Sequence, residues 1–104
     1  MASKDVFALA KEEHARIIRE YHLEKEPALK YMMLAKLMEE MGELSEAVLH
    51  ADSLQRAGKR TKKTDIEGEI ADVMLGTLIF SHELGIDAEK AFLKKMACIK
   101  RRKY

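Results

Sequence analysis

An all-α chain, folded as a four-helix bundle and assembled as a homo-oligomer, is what this sequence predicts. Three observations carry that expectation. Met, Leu, Ile and Val recur at three- and four-residue spacing through most of the chain. There is one proline and no tryptophan. Signals for starting and stopping helices fall between the periodic stretches. At 104 residues the chain makes one domain, large enough for a single core but marginal as a monomer.

The first helix is expected over about residues 5–24, with Val6, Leu9, Ala10, Ile17 and Tyr21 on one face. Pro27 suits the first turn of a second helix, over about residues 28–52, with Glu26 ahead of it. Leu34, Leu37, Met38, Met41, Leu44, Val48 and Ala51 form its apolar stripe. Gly58 and the basic run 59–63 mark a loop. Thr64, with Glu67 three residues on, reads as a capping box for a third helix over about residues 64–84. Gly85 predicts a left-handed cap ending that helix, and Asp87 an N-cap starting a fourth over about residues 87–102. The methionines fit gap-filling between helices, and Cys98, on an apolar sector, is expected to be buried.

The formal net charge is +1, so no global field favours nucleic acid or a membrane. Charges are mixed along the chain apart from basic clusters at 59–63 and 100–103. The Lys100-Arg-Arg-Lys103 run has no aromatic platform beside it, so nucleic acid is an unfavoured partner. One cysteine excludes an internal disulfide and suits a reducing compartment. The first twenty residues are too charged for a signal peptide, and no apolar run reaches spanning length. Together these predict a cytoplasmic protein.

Within Ile70–Phe80, Asp72 is the one charged residue, and the rest of that helix is apolar nearly all round. Such a helix is expected to be buried, where a lone carboxylate is unfavourable unless a cation or hydrogen bonds satisfy it. Asp65, Glu69, Asp72, Gly76 and Glu83 fall on one stripe. On the second helix Lys36, Glu40, Glu43, Ala47 and His50 share a face beside the apolar stripe. Acidic pairs three residues apart occur at Glu40/Glu43, Glu43/Glu46 and Glu69/Asp72, about the number chance supplies, so placement and not spacing is the argument. Gly42 and Gly76 each weaken a helix by roughly 1 kcal/mol relative to Ala, which suggests close approach of a neighbour or ligand.

Carboxylates converging from two helices supply hard oxygen ligands for Mg²⁺, with Mn²⁺ as a substitute. The alternative is that Glu40 and Glu43 simply pair with Lys36 and other lysines on the surface. Convergence also requires matching levels. If the second helix ran unbroken to Gly58, Glu43 would lie ~22 Å from the turn and Glu69 only ~8 Å. An early end to that helix, or a second subunit, is therefore expected.

The segments Leu37-Met-Glu-Glu-Met-Gly-Glu43 and Glu69-Ile-Ala-Asp72 resemble the MazG-like nucleotide pyrophosphohydrolases, whose pattern is EExxE, a variable gap, then ExxD. The resemblance covers roughly residues 30–102. It implies an all-α dimer or tetramer that uses Mg²⁺ to split nucleoside triphosphates between the α and β phosphates, giving a monophosphate and pyrophosphate. Carried onto this chain, it makes Glu40, Glu43, Glu69 and Asp72 metal ligands, with Glu40 or adjacent Glu39 orienting or deprotonating the attacking water. Many relatives read Lys-Met-x-Lys-Asn near their end; here Lys95-Met-Ala-Cys-Ile99 lacks the second lysine and the asparagine. Lys95 and Arg102, placed on the core-facing sector of the fourth helix, and Lys36 are the candidate phosphate contacts; the competing reading is that their stems only cover apolar surface.

No histidine has the spacing of a zinc or di-iron bundle site, and His50 is expected at the surface. Two alternatives to the triphosphate reading stand beside it. One is a phosphoribosyl-ATP pyrophosphohydrolase of the same superfamily. The other is a non-catalytic helical interaction module whose metal site is structural or lost.

Overall fold

A computed structural model describes residues 5–51 and 63–103. Within them the chain is four helices: α1 (Val6–Glu20), α2 (Leu29–Ala51), α3 (Lys63–Glu83) and α4 (Ala88–Lys100).

Short-range chemistry sets their ends. Asp5 caps α1, its carboxylate accepting from the Phe7 amide at 2.9 Å. α1 stops at Glu20, four residues short of the expected end, because His22 takes a left-handed φ of 55°. The Leu23 amide then reaches back to the Ile18 carbonyl (2.9 Å) and the His22 amide to Arg19 (3.3 Å), the paired bonds of a Schellman cap. Ahead of α2, the Glu26 carboxylate accepts from the Ala28 amide at 3.1 Å, and Pro27 sits where no amide hydrogen is needed. Gly85, at φ 71°, ends α3 with the same cap: Ile86 donates to Ser81 (2.9 Å) and Gly85 to His82 (3.0 Å). Asp87 then caps α4 by accepting from the Lys90 amide at 3.0 Å. Both expectations at that junction are met. α3 begins at Lys63, one residue before Thr64 and at the last residue of the run expected as a loop; the Thr64 side chain and residues 52–62 lie outside the described residues.

Leu37 lies opposite Gly76, while Glu43 lies near Glu69. α2 and α3 therefore run antiparallel. Met33, Leu37, Glu40, Leu44, Ala47 and His50 are partly or fully buried positions of α2 that recur every three to four residues. Ile66, Glu69, Val73, Gly76 and Ile79 form a matching row of partly or fully buried positions on α3. This seam is the main contact of the fold, and α1 packs beside α3. His14 of α1 ties to the far end of α3, its Nε2 lying 3.0 Å from Glu83 Oε1.

The seam buries little. Among the described residues the fully buried apolar side chains are Ala10, Leu29, Ala47 and Ile79. Most of the expected α2 stripe is open instead: Leu34, Met38, Met41 and Val48 are all exposed, Met38 to 67%. Met32 and Met74 are exposed as well, so these methionines fill no gap within one chain. α3, expected to be buried all round, is covered on its α2 and α1 sides only; Ile70, Met74 and Leu75 stand in the open, and Asp72 with them. α4 has no buried residue at all. Of the sector taken to face the core, Ala88 and Ile99 are half-buried but Phe92, Lys95 and Arg102 are exposed, and Cys98 is exposed instead of buried. The shared reason is that three short neighbours cannot cover helices this apolar. Among the described residues no helix is long and apolar enough to cross a membrane.

Of Gly42 and Gly76, the latter faces α2. A Cβ there would meet Leu37 Cδ1 at 3.5 Å, an ordinary contact. Gly42 faces open space, so no close neighbour explains it.

Candidate metal centre

The α2–α3 seam is apolar on both sides of one charged layer. Glu40 occupies a seam position between Leu37 and Leu44, and Glu69 one between Ile66 and Val73. Antiparallel pairing brings them to the same level, and Glu43 joins from the rim. One carboxylate oxygen from each of Glu40, Glu43 and Glu69 lies within 4.8 Å of the others. The level mismatch feared from the sequence does not arise: described α2 reaches Ala51 and α3 starts at Lys63, leaving Glu43 and Glu69 roughly 12 and 9 Å from those ends.

Burial sharpens the arrangement. The Glu40 side chain is only 13% exposed, and Lys36 Nζ lies 3.3 Å from its Oε1. Its other oxygen, Oε2, is buried without a hydrogen-bond partner, as is Glu69 Oε2. Buried carboxylate oxygens are normally satisfied, because losing water without a replacement bond is costly. Two such orphans in one layer are oxygen donors that the described residues do not engage. The Glu43 carboxyl responds to the crowding: Glu40 above all, then partial burial, then Glu69 and Glu39 push its pKa above the ordinary carboxylate value.

The remaining candidates fall at different distances from this layer. Glu39 is exposed and meets Lys36 at 3.4 Å. Lys36 lies on the surface between Glu39 and Glu40, and those carboxylates, Glu40 most, raise its pKa. The surface pairing weighed as the alternative for Glu40 is therefore present, but it engages only one of that residue's two oxygens. Asp72 follows Glu69 by three residues and is exposed, outside the three-carboxylate group. No described ion pair engages Lys95 on α4 or Arg102 beyond its end.

One neighbour was missed. A cavity of about 200 Å³ adjoins the carboxylates, lined by Glu43, Glu46, Ala47, His50, Asp65 and Glu69. His50, expected on the surface, has a side chain only 14% exposed and lies 3.7 Å from Glu46. Its seam position, ten residues after Glu40 and three after Ala47, was the signal that could have found it.

The donor set fits a hard dication: three carboxylates, two with unsatisfied buried oxygens, and no thiolate or imidazole within the group. The family model of the MazG nucleotide pyrophosphohydrolase domain matches residues 30–104, which take in α2, α3 and α4 and every carboxylate of the site. No match was found among curated proteins or among solved structures.

Proposed function

The chain belongs to the MazG nucleotide pyrophosphohydrolase domain family, and from that premise we propose that it hydrolyses a nucleoside triphosphate between the α and β phosphates, releasing a monophosphate and pyrophosphate, with Mg²⁺ as cofactor and Mn²⁺ as a substitute. The observation that carries this reading is the pair of unpartnered buried oxygens on Glu40 and Glu69, in a layer they share with Glu43.

Glu40, Glu43 and Glu69 are the ligands, and Asp72, one turn along α3 from Glu69, closes the set from the rim. When bound, Mg²⁺ would cancel the carboxylates' mutual repulsion, offset the negative charge of a phosphate and make a water more acidic. Glu40 holds the attacking water's proton, or Glu39 does so from the rim. Lys36 already sits at hydrogen-bonding range of Glu40, so a phosphate arriving there finds a cation one side chain away from the ligands. Lys95 and Arg102 are the further phosphate contacts, and reach the site only if α4 and the carboxylates are brought together. The chain works as a homodimer or homotetramer, since the apolar faces of α2 and α3 remain open in a single copy.

Pyrophosphate release tests the reading. Purified protein with Mg²⁺ and a panel of ribo-, deoxyribo- and oxidised triphosphates, together with phosphoribosyl-ATP, is assayed for pyrophosphate by ³¹P NMR. Release from one or more triphosphates, lost in Asp72→Asn and in Glu40→Gln, is the expected result. Preference for phosphoribosyl-ATP reassigns the substrate within the superfamily. No release from any of them removes the enzymatic reading.

A further inference from the structure

Lysines and arginines are concentrated at one end of the chain. From Lys90 to Lys103 there are seven and no carboxylate, whereas the remaining residues carry twelve against eighteen carboxylates. The net charge of +1 conceals this division.

On α4 part of this charge is drawn up in a line. At 3.6 residues per turn, Lys90, Lys94, Ala97 and Arg101 fall within about 60° of one another. Arg101 extends the line because its backbone stays helical, at φ −85° and ψ −9°. The half-buried Ala88, Met96 and Ile99 occupy the opposite side of the helix, so the line points outward. Its three cations are exposed, as are Lys100 and Lys103 at its end, and Ala97 adds no bulk between Lys94 and Arg101.

The fold makes no use of these five cations. Among the described residues no ion pair engages any of them, whereas Arg16, Arg19 and Lys36 each have one. Cations at a helix C-terminus complement its dipole, which accounts for Lys100 and Arg101. Lys90 stands instead in the first turn, where the dipole disfavours a cation. Lys90 and Lys94, four residues apart, also repel each other. Such a row is unfavourable until an array of anions meets it.

The shape of the row selects the array. Lys90 and Arg101 are ~16 Å apart along the axis, which is about five phosphates of one duplex strand. Single strands are held largely by stacking on aromatic side chains, and Phe92, the aromatic of α4, lies on the side away from the line. The want of an aromatic platform therefore weighs against a single strand and not against a duplex. A bilayer would require an apolar face, and only Leu93 borders the cations.

We propose that the line Lys90, Lys94 and Arg101, with Lys100 and Lys103 at its end, docks this chain on the phosphate backbone of double-stranded DNA without reading its sequence. Each cation displaces counterions condensed on the backbone, and contacts of this kind position a protein but carry no base information. Neither Lys95 nor Arg102 takes part, so the docking is independent of the phosphate contacts assigned to triphosphate hydrolysis.

Fluorescence anisotropy of a labelled 20-base-pair duplex, titrated with the full chain in EDTA, tests the proposal. Three to five phosphate contacts predict a slope of log K against log salt of about −2.7 to −4.5, and a Kd of about 1–100 µM at physiological salt. Lys90→Gln/Lys94→Gln/Arg101→Gln should bind at least tenfold more weakly at 50 mM salt, with a slope shallower by about 2.7. Lys11→Gln/Lys25→Gln/Lys30→Gln removes the same charge elsewhere and should bind within twofold of wild type. Circular dichroism checks the helices; if the α4 variant unfolds, Lys94→Gln alone is read, with a slope shallower by about 0.9. Wild type that does not bind at 50 mM salt overturns the proposal, and so does an α4 variant with the wild-type slope. An equal loss in both triple variants overturns it as well, because overall charge then governs. Tighter binding of the matching single strand, or phosphatidylserine vesicles that displace the duplex and are themselves lost in the α4 variant, would assign the line to another partner and overturn it too. A protein that docks on the duplex yet releases no pyrophosphate refutes the catalytic reading and leaves the docking intact.

Discussion

Glu69→Gln should make the metal-free protein more stable, although it alters a buried polar side chain. In the folded state the Glu69 and Glu40 carboxylates have oxygens within 4.8 Å of each other, and each has one oxygen buried without a partner. Two unit charges at that distance repel by about 3 kcal/mol at an effective dielectric constant of 20 and by about 1 kcal/mol in bulk water. The seam is partly buried, so the relief on neutralising Glu69 falls between those bounds. The new amide can also donate a hydrogen bond to the orphaned Glu40 oxygen. For a domain of this size each 1 kcal/mol moves the melting temperature by roughly 4–8 °C. Thermal unfolding in EDTA should therefore show the variant melting at least about 4 °C above wild type. In excess Mg²⁺ the order should reverse or close, because wild type gains stability from ion binding and the variant, having lost a ligand, gains little. A variant that melts below wild type in EDTA and still responds fully to Mg²⁺ would refute the reasoning, showing that Glu69 is satisfied by the fold itself.

Other expectations follow from the same geometry. Because the folded-state pKa of Glu43 is raised, the folded protein holds that proton more tightly than the unfolded chain. Its contribution is present in full below the ordinary carboxylate pKa and is lost as pH rises through the raised value. Urea midpoints in EDTA should therefore fall with rising pH across that window, and Glu43→Gln should flatten the slope. Lys36→Met removes a cation competing for Glu40, so calorimetric Mg²⁺ affinity should tighten while KM for a triphosphate rises; weaker Mg²⁺ binding would contradict the placement. Two glycines should respond with opposite signs to alanine. Gly85→Ala, forced into a φ of 71°, should lose about 1 kcal/mol in denaturant unfolding. Gly42→Ala, inside α2 with nothing within 4 Å, should gain up to about 1 kcal/mol.

Local signals were legible where one residue decides the geometry. Gly85 and Asp87 set the α3–α4 junction because a left-handed cap and a side-chain cap each depend on chemistry within a few residues. His22 does the same work at the end of α1, but histidine does not advertise a left-handed turn as glycine does, so that end was placed too late. The site was half legible. The resemblance marked Glu40, Glu43 and Glu69, yet periodicity put Glu40 beside the stripe instead of on the seam, because the residues facing α3 are not the most apolar of α2. Asp72 was read as buried from its apolar neighbours in sequence. Burial depends on what covers a helix, and this chain leaves that side of α3 open. His50 was missed for the converse reason: α3 brings Asp65 and Glu69 to its cavity from across the seam.

Glu40, Glu43 and Glu69 are proposed to hold a dication together. Electron paramagnetic resonance of Mn²⁺ titrated into the protein measures this most directly, since bound ion broadens and depletes the sharp signal of the free ion. Saturable loss of that signal in wild type, competed away by Mg²⁺ and absent in Glu40→Gln/Glu69→Gln, is the predicted result. Undiminished free-ion signal in wild type, or equal binding in the double variant, would contradict it.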